Sequence, residues 1–116
     1  MPAPADEMAA ALAQIRAGAD RFRTAARAAS GAGELADALR SLHDHRDPDA
    51  GVLNAVHALI TACADALAAC GDPRGPAAAE WLDEAASRVS DGAGEHIDRA
   101  REILAGTAPG PAGESR

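Results

Sequence analysis

The sequence predicts an all-α protein, a compact antiparallel four-helix bundle with an alanine-rich core. Three observations predict it. Alanine, the strongest helix former, supplies 33 of the 116 residues. Apolar residues recur at steps of three and four through every long segment, the period of a helix face. The seven prolines gather at Pro2/Pro4, Pro48, Pro73/Pro76 and Pro109/Pro111, where helices start or stop, and none interrupts a periodic segment. A sheet is disfavoured, because β-branched and aromatic residues are scarce and tyrosine is absent.

Helix one is expected over 5–30. Its apolar seam is Met8, Leu12, Ile15, Ala19, Phe22, Ala26 and Ala29, and Ser30-Gly31-Ala32-Gly33 ends it. Arg16, Asp20, Arg23 and Arg27 line another side, as a solvated, salt-bridged face does. Helix two follows over 34–45 on Leu35, Leu39 and Leu42. Asp47-Pro48-Asp49 reads as the cap of helix three, 48–70, whose seam is Leu53, Val56, Ile60, Cys63, Leu67 and Cys70 and whose stop is Gly71. Helix four runs over 76–105 on Leu82, Ala85, Val89, Ala93, His96, Ala100 and Ile103. Ser90-Asp91-Gly92-Ala93-Gly94 lies in its middle, and the apolar step running through it predicts one kinked helix rather than two. Acids fall early and bases late in these segments, as the helix dipole favours. Residues 1–108 therefore read as one domain and 109–116 as a disordered tail.

Composition excludes several functions. All 11 basic residues are arginine, against 18 acids, for a net charge of −7. Without a basic stretch the chain is a poor nucleic-acid binder. Val52–Cys70 comes closest to a membrane span, but Asn54, His57 and Asp65 interrupt it. The acidic N-terminus has no secretory leader pattern, and two cysteines make no disulfide framework, so a cytoplasmic setting is expected. Alanine, arginine, glycine and proline without lysine is the usage of a GC-rich bacterial genome. Twenty large apolar residues make a thin core for four helices, which predicts a homodimer.

The candidate chemistry is sparse. Cys63 and Cys70 lie about 10 Å apart along a helix axis, beyond disulfide reach, so both are expected to be free and buried. His43, His45 and Asp47 have metal-ligand chemistry, but the positions also suit a helix C-terminus followed by a helix cap. Asn54, His57, Thr61 and Asp65 step by three and four, one polar stripe on an otherwise apolar helix. The stripe is expected to face solvent or another chain, and its residues are the interaction candidates.

Two resemblances attach to these residues. The string from Asp49 to Leu59 around His57 resembles the helix that carries the phosphorylatable histidine of histidine-phosphotransfer domains, which implies His57 as a phosphate acceptor. Where that family has a lysine and a glycine three and four residues after the histidine, this chain has Ile60 and Thr61. Arg40 and His45 form an R-x4-H pattern that resembles the motif of HEPN-type ribonucleases, which implies those two residues acting on an RNA phosphate. Small type VII secretion substrates share this size, but their Trp-x-Gly turn is absent, since Leu82-Asp83 follows Trp81. With no phosphate loop, nucleophile elbow or paired carboxylate motif, the expectation is a small acidic protein acting by protein–protein interaction, an accessory, adaptor or immunity-type binder. It needs no catalysis, cofactor, metal, nucleic acid or membrane.

Overall fold

The computed structural model describes residues 3–106. Among them it contains four helices and no strand, so the all-α class holds. The predicted tail at 109–116 lies outside the described residues. The chain divides into two units at Leu35/Ala36.

The first unit is mostly α1 (Pro4–Ala28). Pro4 starts it, Asp6 and Glu7 occupy its first turn and Arg27 its last. It buries none of its residues. Met8, Leu12 and Ile15 of the expected seam stand exposed, and Phe22 and Ala26 are half-buried. The Ser30 backbone N–H donates to the Glu34 carboxylate at 3.0 Å, next to the start of α2 (Ala32–Leu42), which crosses the division between the units.

In the second unit, α2 ends at Leu42 and not at 45. Helix three also starts four residues later than predicted, as α3 (Val52–Ala69). Asp47-Pro48-Asp49 caps nothing. Two successive turns, Asp47 N–H to Asp44 O and Ala50 N–H to Asp47 O at 3.0 Å each, carry the chain round to Gly51, whose φ of 103° admits few other residues. Pro48 lies within these turns, six residues after α2 ends and four before α3 begins, and opens no helix.

Helix four is continuous from 75 to 104, but it is not α-helical throughout. An α-helical segment, α4 (Gly75–Ser87), leads into a π-helical turn (Arg88–Ala93) and then into α5 (Gly94–Leu104) without leaving helical dihedrals. The expected kink at Gly92 and Gly94 is this π turn. It holds more residues per turn than an α-helix and so rotates everything after it. Up to its first residues the predicted seam stands: Leu82, Ala85 and Val89 are half-buried beside buried Ala79 and Ala86. After it the seam moves by one residue. Ala93, His96, Ala100 and Ile103 are exposed, while Gly94 and Arg101 are buried and Ile97 and Asp98 half-buried.

The core of this unit lies where α3 packs along α4. The buried apolar residues, Ala64, Ala79 and Ala86, are all alanines on these two helices. Each methyl contributes only ~0.8 kcal/mol by burial. The predicted seam of α3 holds at Leu53, Val56, Ile60 and Leu67, all half-buried, but its centre lies to one side: His57 and Ala64 turn inward where Cys63 and Cys70 were expected. Cys63 and Cys70 are free as expected, but they are exposed, not buried. α3 is apolar on nearly every side, so periodicity alone could not decide which residues meet α4.

Candidate functional site

The ionic centre of the second unit is built from the segment after α2 and from α5. His43 continues the last turn of α2 through its N–H to Leu39 O at 3.0 Å. Asp44 accepts the Arg46 backbone N–H at 3.0 Å, a side-chain-closed turn that aims its carboxylate at Arg101 Nη1, 3.6 Å away. The Arg46 N–H, followed by the charges of Arg46 and Arg101, holds the Asp44 carboxyl below its usual range. Arg101 Nη2 donates to Asp98 Oδ1 at 3.1 Å and to His45 Nδ1 at 2.6 Å. A guanidinium only donates, so Nδ1 of His45 accepts and its ring proton sits on Nε2. The Asp98 carboxylate also stands 3.6 Å from His43 Nε2 and 3.7 Å from His45 Nδ1.

The π turn makes this arrangement possible. It swings Asp98 and Arg101 inward, and it sets Gly94 beneath the His43 ring. A Cβ at Gly94 would stand 3.1 Å from His43 Cε1 and Nε2, so the bare backbone is what lets the imidazole lie there. The Arg101 side chain is only 10% exposed, and its buried Nε has no hydrogen-bond partner.

Next to this centre opens a cleft of about 340 Å³. His43, His45 and His57 line it together with Asn54, Leu53 and Asp91 of the π turn. Two of the four predicted stripe residues therefore come together with the histidines after α2. Asn54 reaches back to Asp49 O at 2.9 Å, and His57 is half-buried in the cleft wall. The other two do not line the cleft: Thr61 is half-buried further along α3 and Asp65 is exposed. Asp49 and Asp91 also line the cleft, so a phosphoryl group on His57 would share it with two acidic residues.

Arg40 and His45 are not brought together. Arg40 pairs with Asp37 at 2.6 Å on the exposed side of α2, and the arginine that reaches His45 is Arg101. Asp47 is exposed and outside the cluster. Among the described residues no three His, Cys, Asp or Glu side chains are placed to hold one metal ion.

No family model matches the chain, and no match was found among curated proteins or solved structures.

Besides the exposed Met8, Leu12 and Ile15 of α1, two apolar surfaces remain uncovered in the second unit. One is the outer face of α3, where Val52, Ala55, Leu59, Ala62, Ala66 and Ala69 are exposed, with Cys63 and Cys70 along one edge and Asp65 along the other. Of its 18 residues only Ala64 is buried, and α3 is the one helix, among the described residues, long and apolar enough by length and composition to cross a membrane. The other surface is centred on Trp81. It stands 77% exposed on α4, between Ala77 and the charged side chains of Glu80, Glu84 and Arg88. Sequence reasoning missed both surfaces, together with Asp98 and Arg101. The one available signal for Trp81 was its place two residues after Ala79, on the side of the helix away from that alanine.

Proposed function

We propose that this protein acts by binding another protein, as a small accessory, adaptor or immunity-type module, and that it performs no catalysis. The observation that carries this reading is Trp81. It is the only tryptophan of the chain, and it stands in water on a regular helix. A large aromatic ring gains most from being covered, and such rings dominate the energetics of protein interfaces. Glu80 and Glu84 flank it with negative charge, and Glu84 is paired with Arg88 at 3.2 Å. A partner that offers an apolar recess rimmed by arginine or lysine matches this surface in shape and sign. A cytoplasmic setting, consistent with two free thiols, belongs to the same proposal.

The test uses the full chain as bait beside its Trp81→Ala variant. A specific partner is expected to be retained by the wild type and lost by the variant, with helical circular dichroism unchanged. Adding that purified partner should shift the emission of the sole tryptophan to shorter wavelength. A partner retained equally by Trp81→Ala, with tryptophan emission unmoved, would overturn the reading.

A further inference from the structure

We propose that the outer face of α3 is a dimer interface, occupied by the same face of a second copy of this chain. Val52, Leu59 and the alanines at 55, 62, 66 and 69 present a strip without charge on a chain whose net charge is −7. Leaving this strip in water is unfavourable in proportion to its apolar area.

Charge decides the occupant. Two copies of a highly acidic chain repel each other wherever carboxylates meet. At the Trp81 surface Glu80 and Glu84 would oppose their own copies. On α3 only Asp65 carries charge, and it lies at the edge, so the strip can meet itself without opposing like charges. A membrane surface fits less well. Helices that lie on bilayers carry several arginines or lysines on their polar sides, whereas α3 itself carries only Asp65 and is preceded by Asp49, and the nearby Arg74 is paired with Asp72. The small side chains at 55, 62, 66 and 69 allow two helix backbones to approach closely, which recovers dispersion contacts.

Area sets the strength. An 18-residue helix is about 27 Å long and about 10 Å across, so a paired α3 covers roughly 300 Å² of projected area on each chain. That is below the roughly 800 Å² per partner of a standard specific interface and fits a weak, transient one. The dimer is accordingly concentration-dependent, with monomers in exchange. The proposal rests on α3 alone and is independent of the role given to Trp81.

Sedimentation equilibrium of the full chain, from low micromolar to hundreds of micromolar, tests it. The mass is expected to rise from 11.7 kDa toward twice that value. Alkylation of Cys63 and Cys70, at the edge of the strip, should slow over the same range. Leu59→Asp should raise the dissociation constant roughly a hundredfold, because it places two carboxylates in an apolar seam. Ala62→Glu should do the same, and both variants should keep the wild-type circular dichroism. A mass of 11.7 kDa at every concentration would overturn the proposal, whether α1 covers the strip or nothing does. A dimer that persists in both variants would place the interface elsewhere. Binding of the monomer to anionic vesicles, lost in Leu59→Asp, would assign the strip to a membrane.

Discussion

The ionic centre around Arg101 and the outer face of α3 reverse the usual distribution of residues. Arg101 is buried among two carboxylates and an imidazole, whereas Leu59 is 54% exposed. Charged side chains are rarely enclosed unless paired, and long apolar strips rarely stand in water unless they serve a contact. The difference separates two jobs within one unit. The ions fasten the segment after α2 to α5, a task that alanine methyls are too small to perform. The apolar strip leaves about half the surface of Val52 and Leu59 in water, which is available to a second molecule.

The comparison breaks most readily at Arg101. Arg101→Ala leaves Asp44 and Asp98 facing each other without their shared cation and frees the segment 43–46. Removing one partner of an enclosed ion pair costs about 3 kcal/mol, and urea denaturation should show a loss of that size. A loss below about 1 kcal/mol, the scale of exposed pairs, would mean that the backbone turns hold the segment and the ions only decorate it. Gly75→Ala comes next. A Cβ there would collide with the Leu67 carbonyl oxygen at the end of α3, and backbone cannot step aside as a side chain can. Pushing α3 and α4 apart should cost roughly 2 kcal/mol, in the range of overpacked sites. An unchanged denaturation midpoint would show that the alanine packing tolerates a wider gap.

These two residues also mark what was legible in the sequence. Helix boundaries could be read to within a few residues, because proline, glycine and the helical period act locally. The register of helix four could be read up to Val89 and not beyond. The π turn adds to the helical turn, and nothing in Ser90-Asp91-Gly92-Ala93-Gly94 distinguishes a π turn from a kink, since poor helix formers permit both. That shift concealed Asp98 and Arg101, which the expected period of helix four leaves outside its apolar seam. Asn54 and His57 could be singled out as polar positions on an apolar helix. Their meeting with His43 and His45 depends on how the segment 43–51 folds back, which is a tertiary fact. The exposure of Cys63 and Cys70 follows from an ambiguity of the same kind, because a helix apolar all round offers several equivalent seams.

Acid should weaken the ionic centre before it touches the apolar strip. Asp44 holds its proton less tightly in the folded chain than at the ordinary value of 3.8, chiefly through the Arg46 N–H. A lowered folded value means that the unfolded chain binds protons more readily as pH falls. The stabilisation is complete above the unfolded value and is lost as pH drops through the folded one. Asp72, lowered by Arg74 in the turn before α4, acts in the same direction. Stability measured by denaturation should decline below about pH 5. Asp44→Asn and Asp72→Asn should each flatten that decline, and an unaltered acid limb in the double variant would place the acid sensitivity elsewhere.

The smallest effect is expected on the strip itself, and there a null result is the informative one. Leu59 neighbours Ile60 in the chain, yet they lie about 100° apart around α3, one turned outward and the other toward α4. Leu59→Asp removes a side chain that the isolated chain leaves more than half exposed, so it takes little from the folded monomer. At low concentration its unfolding free energy should lie within ~0.5 kcal/mol of wild type, as at other surface positions. At high concentration wild type alone should become harder to unfold, because association of the folded state adds to its stability by mass action. A concentration-independent loss of several kcal/mol in Leu59→Asp would mean that the strip is covered within the chain. The contrast between an enclosed ionic centre and an uncovered apolar face would then fail, and Leu59 would belong to the core of a single molecule.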